Sequence, residues 1–233
     1  MPALSALIFL LWYVTLKSCT ATDTLTVAKF LKDPETIISS NNSFTLGFFS
    51  PPNSNHRYVG IWYSKPSVRY VVWVANRNNP LNDTSGIFRV SKDGNLQVLN
   101  GKNQILWSSN VSNKAVSGFS AAAQILDSGN LVVRIKDDVI WQSFDHPTDS
   151  LLPNMKVTVT KNVNQKPVLR SWESPSDPSD GRFTTSFDSF TLPQVFVWDG
   201  DQPYWRSGPW NGNILIGVQY NHTVHQCSIR DFF

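Results

Sequence analysis

Apolar positions in this chain come in short runs and alternate with polar ones, the period-2 pattern of a half-buried strand. Leu96 and Val98 alternate in this way, and so do Leu131 and Val133. Ser43 to Phe49, Tyr58 to Tyr63 and Ser120 to Gln124 read as further strands. No stretch carries a helical period. Turn chemistry separates the runs: Asp93-Gly94-Asn95 and Ser128-Gly129-Asn130 place Gly and Asn where a positive φ is tolerated. The pattern predicts an all-β chain.

The runs repeat. Val71-Val72-Trp73-Val74, Ile105-Leu106-Trp107-Ser108 and Val139-Ile140-Trp141-Gln142 place three tryptophans at a constant step of 34 residues. The Gly-Asn-Leu marker recurs at nearly the same step. Fixed self-similarity of this length signals a repeat architecture. It predicts three pseudo-equivalent sheets around a pseudo-threefold axis, with Trp62 or Trp73, Trp107 and Trp141 turned inward. Each large ring removes roughly 150–250 Å² from water, so these residues should dominate the core.

Composition narrows the class. The chain has 233 residues, 41% hydrophobic and 16% charged, with a formal net charge of +3. A charge so small and so evenly spread does not support nucleic-acid binding. Two cysteines exclude a disulfide-stapled miniature fold. Met1 to Ala21 reads as a cleaved signal peptide, with an apolar run from Ala3 to Leu16 and small residues at Cys19-Thr20-Ala21. Cleavage leaves Cys227 as the remaining cysteine, which suggests either a partner beyond residue 233 or a truncated product. Asn41, Asn82, Asn110 and Asn221 each open an Asn-x-Ser/Thr triplet, so N-glycosylation is expected there. The expected location is secreted or extracellular, with no transmembrane segment in the mature chain.

Several motifs in order then resemble the bulb-type lectin domain of plant S-locus receptor-like kinases. They are Ser43-Phe44-Thr45-Leu46-Gly47-Phe48-Phe49-Ser50-Pro51, Tyr58-Val59-Gly60-Ile61-Trp62-Tyr63 and Val72-Trp73-Val74-Ala75-Asn76-Arg77. Trp141-Gln142-Ser143-Phe144-Asp145-His146-Pro147-Thr148-Asp149-Ser150 resembles the end of that domain. Tyr204-Trp205-Arg206-Ser207-Gly208-Pro209-Trp210 resembles the opening of the S-locus glycoprotein region. The resemblance implies a β-prism at residues 22–153. It also implies a linker and a truncated second lectin-like region at 154–233, with linker character from Asn162 to Gly181 and core roles for Trp198 and Trp205. The chain carries no glycine-rich phosphate loop, His-Arg-Asp or Asp-Phe-Gly, so it resembles the ectodomain part of such a receptor without its kinase.

In mannose-binding members of the family one strand carries Gln-x-Asp-x-Asn-x-Val-x-Tyr. Ser91, Asp93, Asn95, Gln97 and Leu99 occupy that register here and keep only Asp and Asn. Leu126, Ser128, Asn130, Val132 and Arg134 form a second copy, and Asn53, Asn55, Arg57, Val59 and Ile61 a third. All three are degenerate. The bland reading is that Asp93 and Asn95 serve the turn.

Two further clusters hold residue types with chemistry of their own. Asp145, His146, Asp149 and Ser150 hold the residue types of a hydrolytic triad but crowd one loop. His222, His225 and Cys227 hold metal-ligand types without a fourth partner. The expectation is a recognition module with no cofactor, no metal and no catalysis of its own. Its partner would be an extracellular protein or glycan, with receptor homo- or heterodimerisation, as in pollen recognition. A secreted mannose-binding defence lectin and a soluble decoy receptor are the alternatives.

Overall fold

The computed structural model describes residues 23–65, 70–111, 120–156, 169–188, 193–212, 215–217 and 227–228. The leader, Asn221 and the His222/His225 pair lie outside them, as does the side chain of Cys227. Eighteen strands are described. In chain order the first nine are β1 (Thr24–Thr26), β2 (Leu31–Lys32), β3 (Thr36–Ile38), β4 (Phe44–Phe49), β5 (Tyr58–Tyr63), β6 (Val71–Val74), β7 (Ile87–Val90), β8 (Leu96–Leu99) and β9 (Ile105–Ser108). Then follow β10 (Ala121–Ile125), β11 (Leu131–Ile135), β12 (Asp138–Gln142), β13 (Ser150–Leu151), β14 (Leu169–Ser174), β15 (Asp177–Asp188), β16 (Gln194–Asp199), β17 (Gln202–Arg206) and β18 (Cys227–Ser228). One 3-10 turn at Ser143–Asp145 interrupts them. No helix among the described residues is long and apolar enough to cross a membrane.

The strands form four four-stranded antiparallel sheets and one two-stranded pair, β13–β18. Sheet I runs β3-β4-β5-β6, sheet II β2-β7-β8-β9, sheet III β1-β10-β11-β12 and sheet IV β14-β15-β16-β17. The first three successive strands are dealt out in turn, one to the edge of each of sheets III, II and I. Three separate sheets are thereby tied together by fifteen consecutive residues, Thr24 to Ile38.

Alternation buries one side of each sheet. Leu46, Ile61, Phe88, Val98, Ala123 and Val133 are all fully or nearly fully buried in one common core. Three indoles close its centre. Trp73 and Trp107 meet at 5.7 Å and 80°, Trp73 and Trp141 at 6.0 Å and 67°, and Trp107 and Trp141 at 6.0 Å and 73°. Edge-to-face contact places the positive rim of one ring on the negative face of the next, the favoured arrangement for aromatic pairs. The 34-residue step therefore does mark a threefold core, and Trp73 is its member from sheet I.

Trp62 is not. It lies on the outer side of sheet I, packed with Phe49 and Tyr58 under Trp172. The expected linker also changes character: residues 169–181 are the strand β14 and the start of β15, a hairpin laid against sheet I. Arg77 fastens it. Its Nε donates to Pro178 O at 2.7 Å, and its Nη2 donates to Ser171 O at 2.8 Å and Arg170 O at 3.2 Å. Asp180 balances the charge at 3.2 Å. Trp172 Nε1 donates to the fully buried Asp149, and Asn78 Oδ1 accepts from the Asp180 amide.

Sheet IV repeats the unit of the prism. In sheets I to III a tryptophan faces an aliphatic residue across the ladder: Trp73 and Ile61, Trp107 and Val98, Trp141 and Val133. The register slips immediately after each pair. Trp205 faces Val197 with the same slip. Two residues after the tryptophan a serine hydroxyl accepts the amide of the strand opposite: Ser109 from Leu96, Ser143 from Leu131 and Ser207 from Val195. In sheet I Asn76 Oδ1 takes that amide, from Val59. Trp205 thus lies half-buried on the same side of the sheet as the buried Val197, while Trp198 lies half-buried on the opposite face of β16.

Candidate ligand-binding faces

The outer side of each prism sheet is where the predicted registers fall. In sheet II the turn before β8 puts Gly94 at φ +84°, a conformation that L side chains rarely adopt. The turn brings Ser91, Asp93 and Asn95 together. Asp93 accepts from the Ser91 hydroxyl, and its Oδ2 accepts from Asn95 Nδ2 at 2.9 Å. The Ser91 hydrogen bond, joined by those from Asn95, outweighs desolvation and holds the Asp93 carboxyl below its usual pKa. Asp93 stays exposed and anionic.

Asn95 does different work. It is only 3% exposed, and its Oδ1 accepts the Val111 amide at 2.6 Å and the Ser109 hydroxyl at 3.4 Å. Its amide is a strut between β8 and the segment after β9. Gln97 Oε1 accepts from Arg89 Nε at 3.2 Å and Nη2 at 3.1 Å, and Leu99 is 1% exposed. Of the five register positions, Asp93 is exposed and Ser91 half-buried, while Asn95, Gln97 and Leu99 are buried.

Sheet III repeats this bookkeeping. Asn130 Oδ1 accepts from the Phe144 amide and the Ser143 hydroxyl, both at 3.2 Å, and its Nδ2 donates to Gln142 Oε1 at 2.9 Å. Arg134 donates to Gln124 at 3.0 Å, and Gln124 in turn donates to Asp23 at 2.8 Å. Val132 is 2% exposed, and Leu126 and Ser128 flank the turn half-buried. Asp23 is held below its usual pKa by hydrogen bonds from Gln124, Thr24 and Ser40, although desolvation is the largest single influence and opposes them.

In sheet I the expected register is shifted by one residue. Val59 and Ile61 are 0% exposed and face the common core. A one-residue slip turns every side chain to the other side of a strand. The outward residues of β5 are Tyr58, Gly60 and Trp62. Arg57 is committed to an ion pair with Asp33, whose side chain is fully buried, and Asn53 and Asn55 lie in the loop before β5. This outer face is closed by Trp172, so it offers no open site.

The loop after β12 is structural. His146 lays its ring flat on Trp141, 5.4 Å between centroids and 8° from parallel, and its carbonyl accepts Trp73 Nε1 at 2.9 Å. Asp145 accepts from Gln142, and Asp149 receives Trp172. Ser150 is fully buried beside Asp149. These residues are spent on holding the Trp centre and the hairpin, which is not the converging geometry a triad needs. No group of three or more His, Cys, Asp or Glu among the described residues could hold a metal ion. Asn41, Asn82 and Asn110 are all exposed.

Sequence reading missed Arg77, whose acceptors are backbone carbonyls about a hundred residues away. It also missed the Trp-x-Ser unit, which was visible at 107–109, 141–143 and 205–207.

A family profile described as D-mannose binding lectin matches residues 70–173. The chain is 42% identical over 222 residues to the G-type lectin S-receptor-like serine/threonine-protein kinase SD1-13 of Arabidopsis thaliana, covering 94% of this chain and 27% of that protein. It is 48% identical over 194 residues to the kinase of the same class At1g11300, also of Arabidopsis thaliana, covering 81% and 24%. The chain spans about a quarter of the length of these relatives. Among solved structures, a monomeric monocot mannose-binding lectin from Gastrodia elata is 17% identical over 52% of this chain and 96% of that one, with a TM-score of 0.41.

Proposed function

We propose, from the premise that this chain carries a bulb-type lectin domain of the kind found in G-type lectin S-receptor-like kinases, that it is the extracellular recognition module of such a receptor. Its ligand is an extracellular protein or a glycan other than simple mannose, and the signal passes to a kinase elsewhere in the receptor. Pollen recognition is one role open to a module of this kind, and homo- or heterodimerisation of the receptor is another part of the reading.

One observation carries it. The sugar register is largely committed to the fold: Asn95 and Asn130 brace the strands, Gln97, in the position of the apolar Val, is held by Arg89, the third face lies under Trp172, and Asp93 stays exposed. A monosaccharide site begins weak, and each missing hydrogen bond removes roughly 0.5–1.5 kcal/mol. The expected Kd for α-mannose is above about 1 mM.

A secreted mannose-binding lectin is the competing reading, and the exposed Asp93 carboxylate favours it. Retention on a mannan column separates the two. Retention that free mannose elutes and Asp93→Ala abolishes would establish the lectin. Passage without retention supports the receptor module.

A further inference from the structure

We propose that the outer face of sheet IV is a binding site for an acidic oligosaccharide, with Phe196 and Trp198 as the stacking floor and Arg206 as the carboxylate clamp. The inference is independent of the prism registers.

The face is set by alternation. Val195 and Val197 are 6% and 0% exposed, so they and Trp205 opposite Val197 belong to the buried side of the sheet. Phe196 and Trp198 therefore point to the other side, where both are half-buried. Their rings stack at 5.4 Å and 21°. Trp198 Nε1 donates to the Ser186 hydroxyl at 3.0 Å, which fixes the indole and satisfies its polar edge. An aromatic pair locked in this way loses little conformational entropy on binding.

The neighbours supply the polar half of the site. Across the ladder Trp198 faces Thr184, and Phe196 faces Ser186 on one side and Arg206 on the other. Strand spacing places the Arg206 backbone about 4.8 Å from that of Phe196. Arg206 is exposed. The carboxylates paired within the sheet are matched already: Asp180 by Arg77 and Arg170, Asp199 by Arg182. An exposed arginine opposite Phe196 in the ladder, on the face that carries both rings, suits a ligand with a flat apolar face and an equatorial carboxylate, which is the shape of a uronic acid. Arg170 already shares Asp180 with Arg77, and Arg182 holds Asp199, so Arg206 is the cation this face presents to a ligand. A protein partner typically needs about 800 Å² of contact on each side, more than a floor of two rings offers.

The test uses the full chain and a galacturonate oligomer of defined length, with its methyl ester, a mannose oligomer and a glutamate-rich peptide as comparators. Titration calorimetry should show saturable binding of the acid oligomer only. Arg206→Gln should weaken it tenfold or more, and Trp198→Ala likewise. Phe196→Ser replaces Trp198→Ala if that variant loses its thermal transition. Asp93→Ala should leave the affinity unchanged. Absence of saturable binding overturns the proposal. Equal binding of the ester removes the clamp, and equal binding of the peptide reassigns the face to acidic proteins. Loss with Asp93→Ala but not with Arg206→Gln moves the ligand to the prism.

Discussion

Trp107 and Trp141 lie thirty-four residues apart in sequence, yet their rings meet edge to face at 6.0 Å and 73°. With Trp73 they form a closed set of three, each ring touching the other two. The threefold axis of the prism passes through indoles, so its stability is concentrated there. Trp141 is 6% exposed, whereas Trp107 is only partly buried. Trp141→Ala should cost about 3–5 kcal/mol, the range for a large aromatic lost from a core, and Trp107→Ala should fall at or below the low end. Urea unfolding of the two variants checks the order. A loss below about 1 kcal/mol at Trp141 would make the ring peripheral.

Arg77 should behave as a clamp on the β14–β15 hairpin. Removing its side chain strands the carbonyls of Ser171 and Pro178, and uncompensated buried partners are costly. Arg77→Ala is expected to destabilise the dock by about 1–3 kcal/mol. Arg77→Lys should rescue little, because one ammonium cannot serve acceptors spread around a planar fork. Amide hydrogen exchange over Leu169–Ser174 should accelerate while the amides of β8 and β11 stay protected. Uniform acceleration throughout would mean that the clamp belongs to the prism itself.

Legibility in the sequence followed the locality of the cause. The Trp step and the Gly-Asn-Leu marker are local, and they led to sheets II and III, the three central tryptophans and the all-β class. Sheet I lacks the marker: β5 opens on Tyr58-Val59-Gly60 where β8 and β11 open after Gly-Asn. Nothing local then fixed its register, and a slip of one residue put Val59 and Ile61 on the wrong side and left Trp62 unassigned between core and surface. The hairpin at 169–181 was hidden by its Pro, Ser and Asp content. Its strands are held by Arg77 and Asp149, whose partners are remote in sequence.

His146 gives the core a pH dependence. Desolvation on Trp141 lowers its pKa, and the nearby Asp145 charge opposes that only in part. The folded state therefore favours the neutral ring. The contribution to stability is complete above the unfolded value near 6.5 and is lost as pH falls through the lower folded value. Its outer edge meets solvent, so the effect is small. Melting curves between pH 7 and pH 5 should show a decline that His146→Gln removes. An unchanged decline in the variant would assign it to carboxylates.

Delivery to the cell exterior should leave a mass signature. Asn41, Asn82 and Asn110 are exposed sequons, and Met1 to Ala21 has leader character. Protein made in plant cells should carry N-glycans on at least two sequons and drop in apparent mass after glycosidase treatment. A cytosolic product without a shift contradicts the reading.

Asn95 and Asp93 should respond oppositely to what a sugar site demands. In a working site both side chains face the ligand, so either can be removed at little cost to the fold. Here Asn95 is 3% exposed and its carbonyl holds the Val111 amide at 2.6 Å, while Asp93 stands in solvent and braces only its own turn. Asn95→Ala leaves that amide buried without an acceptor, at a cost of about 1–3 kcal/mol, and frees the segment after β9. Asp93→Ala loses exposed hydrogen bonds and should cost under about 1 kcal/mol. Denaturation midpoints of the two variants decide the matter. Equal, small losses would mean that Asn95 is free to turn outward and that the sheet II face retains a sugar-binding geometry; a large loss at Asn95 alone marks this Asn as the strut that keeps the repeat folded.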